Sequence, residues 1–171
     1  PNEIIRSLAP IEYLPEHSGG ALGPSIDLAI PFALNSAKLR PEAQAQLKAL
    51  GSALGSQELK DKAIEIAGHT DASGKADHNR RLSERRAATV AKFLVKTFGF
   101  EAGRFRVVGY GEDELKDPLT PEAANNRRVE ISVIPGGSFD KTNASKMPAT
   151  SVALVENLPA TNGNDLRTEP S

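Results

Sequence analysis

The feature that most constrains this chain is a hydrophobic period that switches repeatedly between two residues and 3.6. Leu28, Ile30 and Phe32 alternate with Asp27, Ala29 and Pro31, which is the pattern of a strand with one face inward, ending near Ala33. Pro41 at a first-turn position opens a stretch in which Ala43, Leu47, Leu50 and Leu54 recur at helical spacing, closed by Gly55. Ala63 to Ala67 is a short β segment with Ile64 and Ile66 on one side, and it runs into the turn-prone stretch Gly68-His69-Thr70-Asp71-Ala72-Ser73-Gly74. A long helical pattern follows from about Ala76 to Phe98. Its inward stripe is Leu82, Val90, Ala91, Leu94 and Phe98, its outward residues are mostly Arg80, Arg81, Glu84, Arg85 and Lys92, and Gly99 is a natural stop. Phe105, Val107 and Val108 suggest a third strand, Thr120-Pro121-Glu122 resembles a helix N-terminus, and Val129, Ile131 and Val133 alternate as a fourth strand.

The order βαβαβαβ with short connections predicts one sheet with helices packed on it, because each amphipathic helix must bury its stripe against strand residues. The fold class expected is therefore a two-layer α/β sandwich. Helix-length crossovers separate strands one, two and three and are compatible with parallel pairing; the place of strand four, and so the strand order, stays open on physical grounds alone.

Two margins support neither period. Residues 1–26 hold Pro1, Pro10, Pro15 and Pro24 with Gly19, Gly20 and Gly23, so a linker is expected with no regular element longer than a short turn or strand. Residues 135–171 are rich in Ser, Thr, Asn, Ala and Pro with Phe139 as the one aromatic, and read as a low-complexity extension in which Val152 to Leu158 could dock as a short segment. The domain is thus placed at residues 27–134, and a length of 171 residues suits one core.

Composition narrows the function classes. A formal net charge of −1 gives no whole-chain attraction to nucleic acid or anionic lipid. Without cysteine there is no disulfide framework, thiolate metal site or lipidated Cys in this stretch. No run of about 18 apolar residues occurs and no signal-like start is present, so any membrane tether is expected outside these residues.

Three polar motifs stand in order: Gly68-His69-Thr70-Asp71, then Asn79-Arg80-Arg81-Leu82-Ser83-Glu84-Arg85-Arg86-Ala87, then Asn126-Arg127-Arg128-Val129. They are preceded by Phe32-x-x-Asn35 and Leu39-x-Pro41. Together they resemble the OmpA C-terminal-like peptidoglycan-binding domain family, over about residues 27 to 134, and the combination is far more specific than any one motif. The resemblance implies a mixed four-stranded sheet and a groove that grips the diaminopimelate of the peptidoglycan stem peptide, without catalysis or cofactor. It places the chain in the periplasm of a Gram-negative bacterium, tied to the outer or inner membrane through a region outside this sequence.

The far end of a diaminopimelate side chain carries an ammonium and a carboxylate on one carbon, which calls for an anion and a planar cation close together. Asp71 and Arg86 match the family's pair: Asp71 for the ammonium, Arg86 for a bidentate hold on the carboxylate. Leu34, Asn35 and Ser36 fall where the family lines the pocket, with backbone N–H groups offered to the ligand, and Asn79 and Leu82 complete the implied rim. The family often has an acidic residue where Asn35 stands, so the contact implied there is made by the backbone.

Other readings remain. His69 at a strand end reads as a hydrogen-bonded structural histidine, and Asn126, Arg127 and Arg128 as residues that fix the last junction and pair with neighbouring carboxylates. Gly109-Tyr110-Gly111 lacks the rest of a nucleotide fingerprint and reads as a turn. A metal-dependent cell-wall amidase would use His69, Asp71, Asp77 and His78, but their spacing is not that of His-Glu-x-x-His and a third well-placed ligand is lacking. A protein-interaction module on the same fold is the other alternative.

Overall fold

The computed structural model describes residues 2–9 and 23–138. Its elements are α1 (Asn2–Leu8), β1 (Ser25–Leu28), α2 (Ala43–Leu54), β2 (Lys62–His69), α3 (Ala76–Phe98), β3 (Phe105–Gly111) and β4 (Val129–Ser138), with single 3-10 turns at Ala102–Arg104 and Ala124–Asn126. The four strands form one mixed sheet in the order β1-β4-β2-β3, with β2 and β3 parallel and β4 antiparallel to both β1 and β2. Helices pack on one face, so the α/β sandwich expected from the alternating periods is the architecture found.

This strand order decides where a site can form. Because β1, β2 and β3 run the same way and β4 runs against them, the carboxyl ends of the first three strands and the start of β4 share one end of the sheet. The segments 29–42, 70–75 and 112–128 therefore gather there, the usual place for a ligand crevice in an open α/β sheet.

The core lies between the sheet and the helices. Leu47, Leu50 and Leu54 of α2, Val90 and Leu94 of α3, Ile64 and Ile66 of β2, Phe105 of β3 and Ile131 of β4 are all fully buried. Burial of each such side chain contributes about 1.5–3 kcal/mol. The approach of α3 to β2 and β3 is closer than side chains would allow. A Cβ at Gly68 would lie 2.1 Å from the Ser83 carbonyl oxygen, and one at Gly109 would lie 2.5 Å from the Glu84 nitrogen. Gly109-Tyr110-Gly111 is therefore not a turn but the end of β3, kept bare so that the helix can lie on it.

Four further expectations about the elements need correction. First, β1 spans Ser25–Leu28 rather than running to Ala33: Leu28 pairs with Val129, the first residue of β4, so the ladder has no partner beyond it. Ile30 still reaches the core at 7% exposure, and Phe32 makes an isolated bridge with Leu39. Second, no α-helix follows Thr120. The segment holds only the turn Ala124–Asn126, and Leu119 is 94% exposed, so there is no apolar stripe to seat a helix.

Third, α1 occupies part of the stretch expected to be a linker. Ile4 and Leu8 stand one helical turn apart and pack on the core, with Leu8 fully buried; the window is too short for a sequence pattern to weigh against the nearby Pro10. Fourth, β4 continues past residue 134 to Ser138, where it pairs with Lys62. The rest of the expected extension, including Val152 to Leu158, lies outside the described residues.

Candidate functional site

The bridge between Phe32 and Leu39 closes residues 33–38 into a tight projecting hairpin. Ala33 N–H donates to the Lys38 carbonyl at 2.9 Å and Ser36 N–H to the Ala33 carbonyl at 3.1 Å, while Asn35 takes a positive φ of 48° at the tip. Leu34 beside it is 92% exposed. The Ser36 backbone N–H, expected to be offered to a ligand, is thus spent inside the turn, and its hydroxyl accepts from Lys38 N–H at 3.0 Å. No described residue accepts from the N–H groups of Leu34 and Asn35, which leaves them for a ligand.

Arg86 connects this hairpin to α3. Its Nε donates to the Ser36 carbonyl at 3.0 Å and its guanidinium carbon sits 5.1 Å from the centre of the Phe32 ring. Both contacts use one edge and one face of the planar group, and no described residue takes the terminal Nη nitrogens. Burial, then the charge of Arg127, and more weakly Arg85, hold its pKa below the ordinary arginine value, while Asp71 pulls the other way. A guanidinium so placed favours an added anion.

Asp71 opens the loop after β2 and is 8% exposed. One carboxylate oxygen accepts the Ser73 N–H at 3.1 Å and the other lies 2.5 Å from Nη1 of Arg127. Burial would push the carboxyl up, but the Arg127 and Ser73 bonds outweigh it and hold the group below the usual carboxylate range. It is thus ionised at neutral pH and, with about four lone-pair positions on two oxygens, can accept a further donor. Asp71 and Arg86 do not pair with each other, although the Asp71 charge acts on Arg86.

The rest of the motif residues hold this geometry from beneath. Asn79 is 4% exposed, and its amide nitrogen lies within hydrogen-bond distance of the Asp71 carbonyl (3.3 Å), the Ser73 carbonyl (3.0 Å) and Glu112 Oε2 (2.6 Å), bracing the loop against the start of α3. Leu82, expected at the rim, is 4% exposed and so is buried in α3 instead. The Ser83 hydroxyl accepts the Gly111 N–H at 2.9 Å, clipping α3 to β3. Asn126 is fully buried and pins the 112–128 loop by accepting from Asp117 N–H at 2.8 Å and by donating to the Thr120 and Pro121 carbonyls at 3.0 Å.

Arg127 is the site residue that sequence reasoning did not include. It was expected to pair with a neighbouring carboxylate, and it does, but the partner is Asp71 itself, 56 residues away. No local spacing signals such a contact. Arg128 pairs with Asp27 at 3.0 Å and approaches Glu130 at 3.9 Å, away from Asp71.

The histidines are separated. His69 is buried on the helix-free face of the sheet, stacked on Tyr110 at 5.4 Å, with Nε2 3.4 Å from Glu130 Oε2 but without an aligned hydrogen bond. His78 is exposed on α3, lining a hollow of about 630 Å³ with Lys75, Ala76, Asp77, Arg81 and Arg85. Among the described residues no group of three His, Cys, Asp or Glu could hold a metal ion.

Known proteins share this framework. Outer membrane porin F of Pseudomonas aeruginosa is 36% identical over 110 residues, 63% of this chain and 31% of that protein. Outer membrane protein A of Escherichia coli O157:H7 is 35% identical over 103 residues, 60% of this chain and 29% of that one, so this chain spans about a third of the length of such relatives. Among solved structures, the cell wall anchor of the T6SS from Pseudomonas aeruginosa superposes with a TM-score of 0.52 at 30% identity, covering 67% of this chain and 86% of its own. An outer membrane protein from Borrelia burgdorferi gives a TM-score of 0.51 at 26% identity, covering 68% and 94%. The profile of the OmpA family matches residues 31–131, which takes in the hairpin, Asp71, α3 with Arg86, and the Asn126-Arg127-Arg128 run, and on that match this chain belongs to the OmpA family.

Proposed function

We propose that this domain binds peptidoglycan non-covalently through the diaminopimelate of the stem peptide, and so ties an envelope protein to the cell wall. The observation that carries the reading is the pair Asp71 and Arg86: an ionised carboxylate and a guanidinium, close together, anchored to the protein by other atoms and not neutralising each other. An ammonium and a carboxylate on one carbon complement that arrangement, and a planar fork suits the carboxylate where a lysine would offer only a point charge. The similarity to a protein described as a cell wall anchor supports the same assignment. No bond is made or broken in this role; the domain works by equilibrium capture, and repeated wall sites add avidity if several copies are tethered. Such a role places the domain on the periplasmic side of the envelope.

Calorimetric titration with a diaminopimelate-containing muropeptide tests this on the intact chain, Asp71→Ala and Arg86→Ala. Saturable binding by the intact chain, lost at least tenfold in each variant with unchanged circular dichroism, is the expected result; tenfold corresponds to about 1.4 kcal/mol, within the range for a charge-assisted hydrogen bond. Absence of binding by the intact chain would overturn the proposal and leave a protein-interaction module as the better reading.

A further inference from the structure

The solvent face of α3 carries charge of one sign. At about 100° per residue, Ser83, Ala87, Val90 and Leu94 form the stripe turned to the core, and all four are buried. Opposite them, within an arc of about 80°, stand His78, Arg81, Arg85, Thr89, Lys92 and Lys96, of which Arg81, Arg85 and Lys96 are exposed. The two carboxylates of the helix, Asp77 and Glu84, lie to one side of that arc. Arg81, Arg85 and Lys96 pair with no described carboxylate, whereas Arg80, off the arc, meets Asp113 at 3.8 Å. A solvated helix gains stability by mixing signs at a spacing of four; Arg81 and Arg85 instead repel each other at that spacing. Such a row is relieved when anions lie along it. It runs for about 22 Å from Arg81 to Lys96, too long for one small anion and suited to many fixed on a surface.

We propose that this face of α3 docks the domain on the anionic headgroups of a phospholipid bilayer. The charge distribution supports orientation as well as contact. α3 holds six Arg and Lys against two carboxylates, although the whole chain has a net charge of −1, so the rest of the molecule is acidic. Near an anionic surface such a molecule turns α3 inward and its remaining surface away. The contact is one of charge alone: the exposed large hydrophobic residues are Leu34 and Leu119, both outside α3, and no helix among the described residues is long and apolar enough to cross a membrane. A bilayer is the anionic surface favoured here because relatives of this chain are described as outer membrane proteins. The proposal uses neither Asp71 nor Arg86, which lies about 100° round the helix from Arg85, and stands apart from the peptidoglycan reading.

Co-sedimentation of the full chain with vesicles tests this, using phosphatidylcholine alone and phosphatidylcholine mixed with phosphatidylglycerol, each at low and high salt. Binding is expected only to the mixed vesicles and is expected to fall as salt is raised. R81Q/R85Q, folded by circular dichroism, is expected to lose about tenfold or more in partitioning, because each cation near such a surface contributes about fivefold. K48Q/K60Q removes the same charge from exposed positions outside α3 and is expected to bind as the unaltered chain does. Equal binding of the unaltered chain to both kinds of vesicle, or equal loss in the two double variants, would overturn the proposal. Binding to soluble polyphosphate that depends on Arg81 and Arg85, with none to vesicles, would overturn the lipid assignment in favour of a linear polyanion.

Discussion

Arg127 holds Asp71 in its charged form before any ligand arrives. The bond comes from the segment just before β4, and half of the Arg127 side chain remains in water, so it contributes little to stability. Its effect is on protonation. Because the folded pKa of Asp71 is depressed, the paired state is complete above the ordinary aspartate value and is lost as pH falls through the lower folded one. Arg127→Gln is expected to raise the Asp71 pKa, read from its carboxyl carbon by NMR, and to move the acid limb of muropeptide binding up in pH while affinity at neutral pH changes little. A similar economy applies to Arg86, whose Nε and ring face are already used. Lysine there keeps the charge but has one nitrogen for two tasks, so Arg86→Lys is expected to weaken muropeptide binding about tenfold without a change in melting temperature.

At the scale of elements, the site depends on how closely α3 lies on the parallel pair β2–β3. The missing Cβ atoms of Gly68 and Gly109 let Ser83 and Glu84 backbone touch the strands, and the same half-helix carries Asn79 and Arg86. Gly109→Ala is expected to cost about 2–4 kcal/mol in denaturant unfolding, because a backbone atom and not a flexible side chain must move. Arg104 does a comparable task at the far end of α2. It is 3% exposed, and its guanidinium donates to the carbonyls of Leu54 (2.7 Å), Leu59 (2.6 Å) and Lys62 (3.0 Å) against the rings of Phe100 and Phe105. Burial lowers its pKa to about 10, so it stays charged at neutral pH; Arg104→Met, which orphans three carbonyls, is expected to cost about 3 kcal/mol. Elements with a long apolar stripe, α2, α3 and β2, were legible in the sequence because their period repeats several times. The short elements were not: α1 has two anchoring residues, and β1 ends where its partner ends, a fact about strand order that no local pattern carries. The site divides the same way, with Asp71 and Arg86 readable from motifs and Arg127 visible only once β4 is laid between β1 and β2.

Over the whole molecule, the two faces of the sheet behave as different media. One is the apolar core; the other carries Glu65, Arg106, His69, Tyr110, Glu130 and Arg128, paired across strands that are far apart in sequence. Two carboxylates on this face respond to acid in opposite ways. Contact with His69, against the cost of burial, and then Ser25 and Arg128, hold Glu130 down to about 2. Burial of Glu65 outweighs the pull of Arg106 and raises its pKa. The Glu130 contribution to stability is full above its ordinary value of 4.5 and is lost as pH falls towards about 2. Glu65, with a raised folded pKa, favours the folded state most when protonated, so acid acts on it in the stabilising direction. The wild-type acid profile is thus a difference between two opposed groups and understates what Glu130 does. Glu130→Gln removes one of them: its unfolding free energy is expected to lie about 1–2 kcal/mol below wild type at pH 7, and the two curves to converge between pH ~4.5 and ~2. Urea titrations at a series of pH values would read this directly. Parallel curves over that interval would place the acid dependence elsewhere than the His69–Glu130–Arg128 contacts.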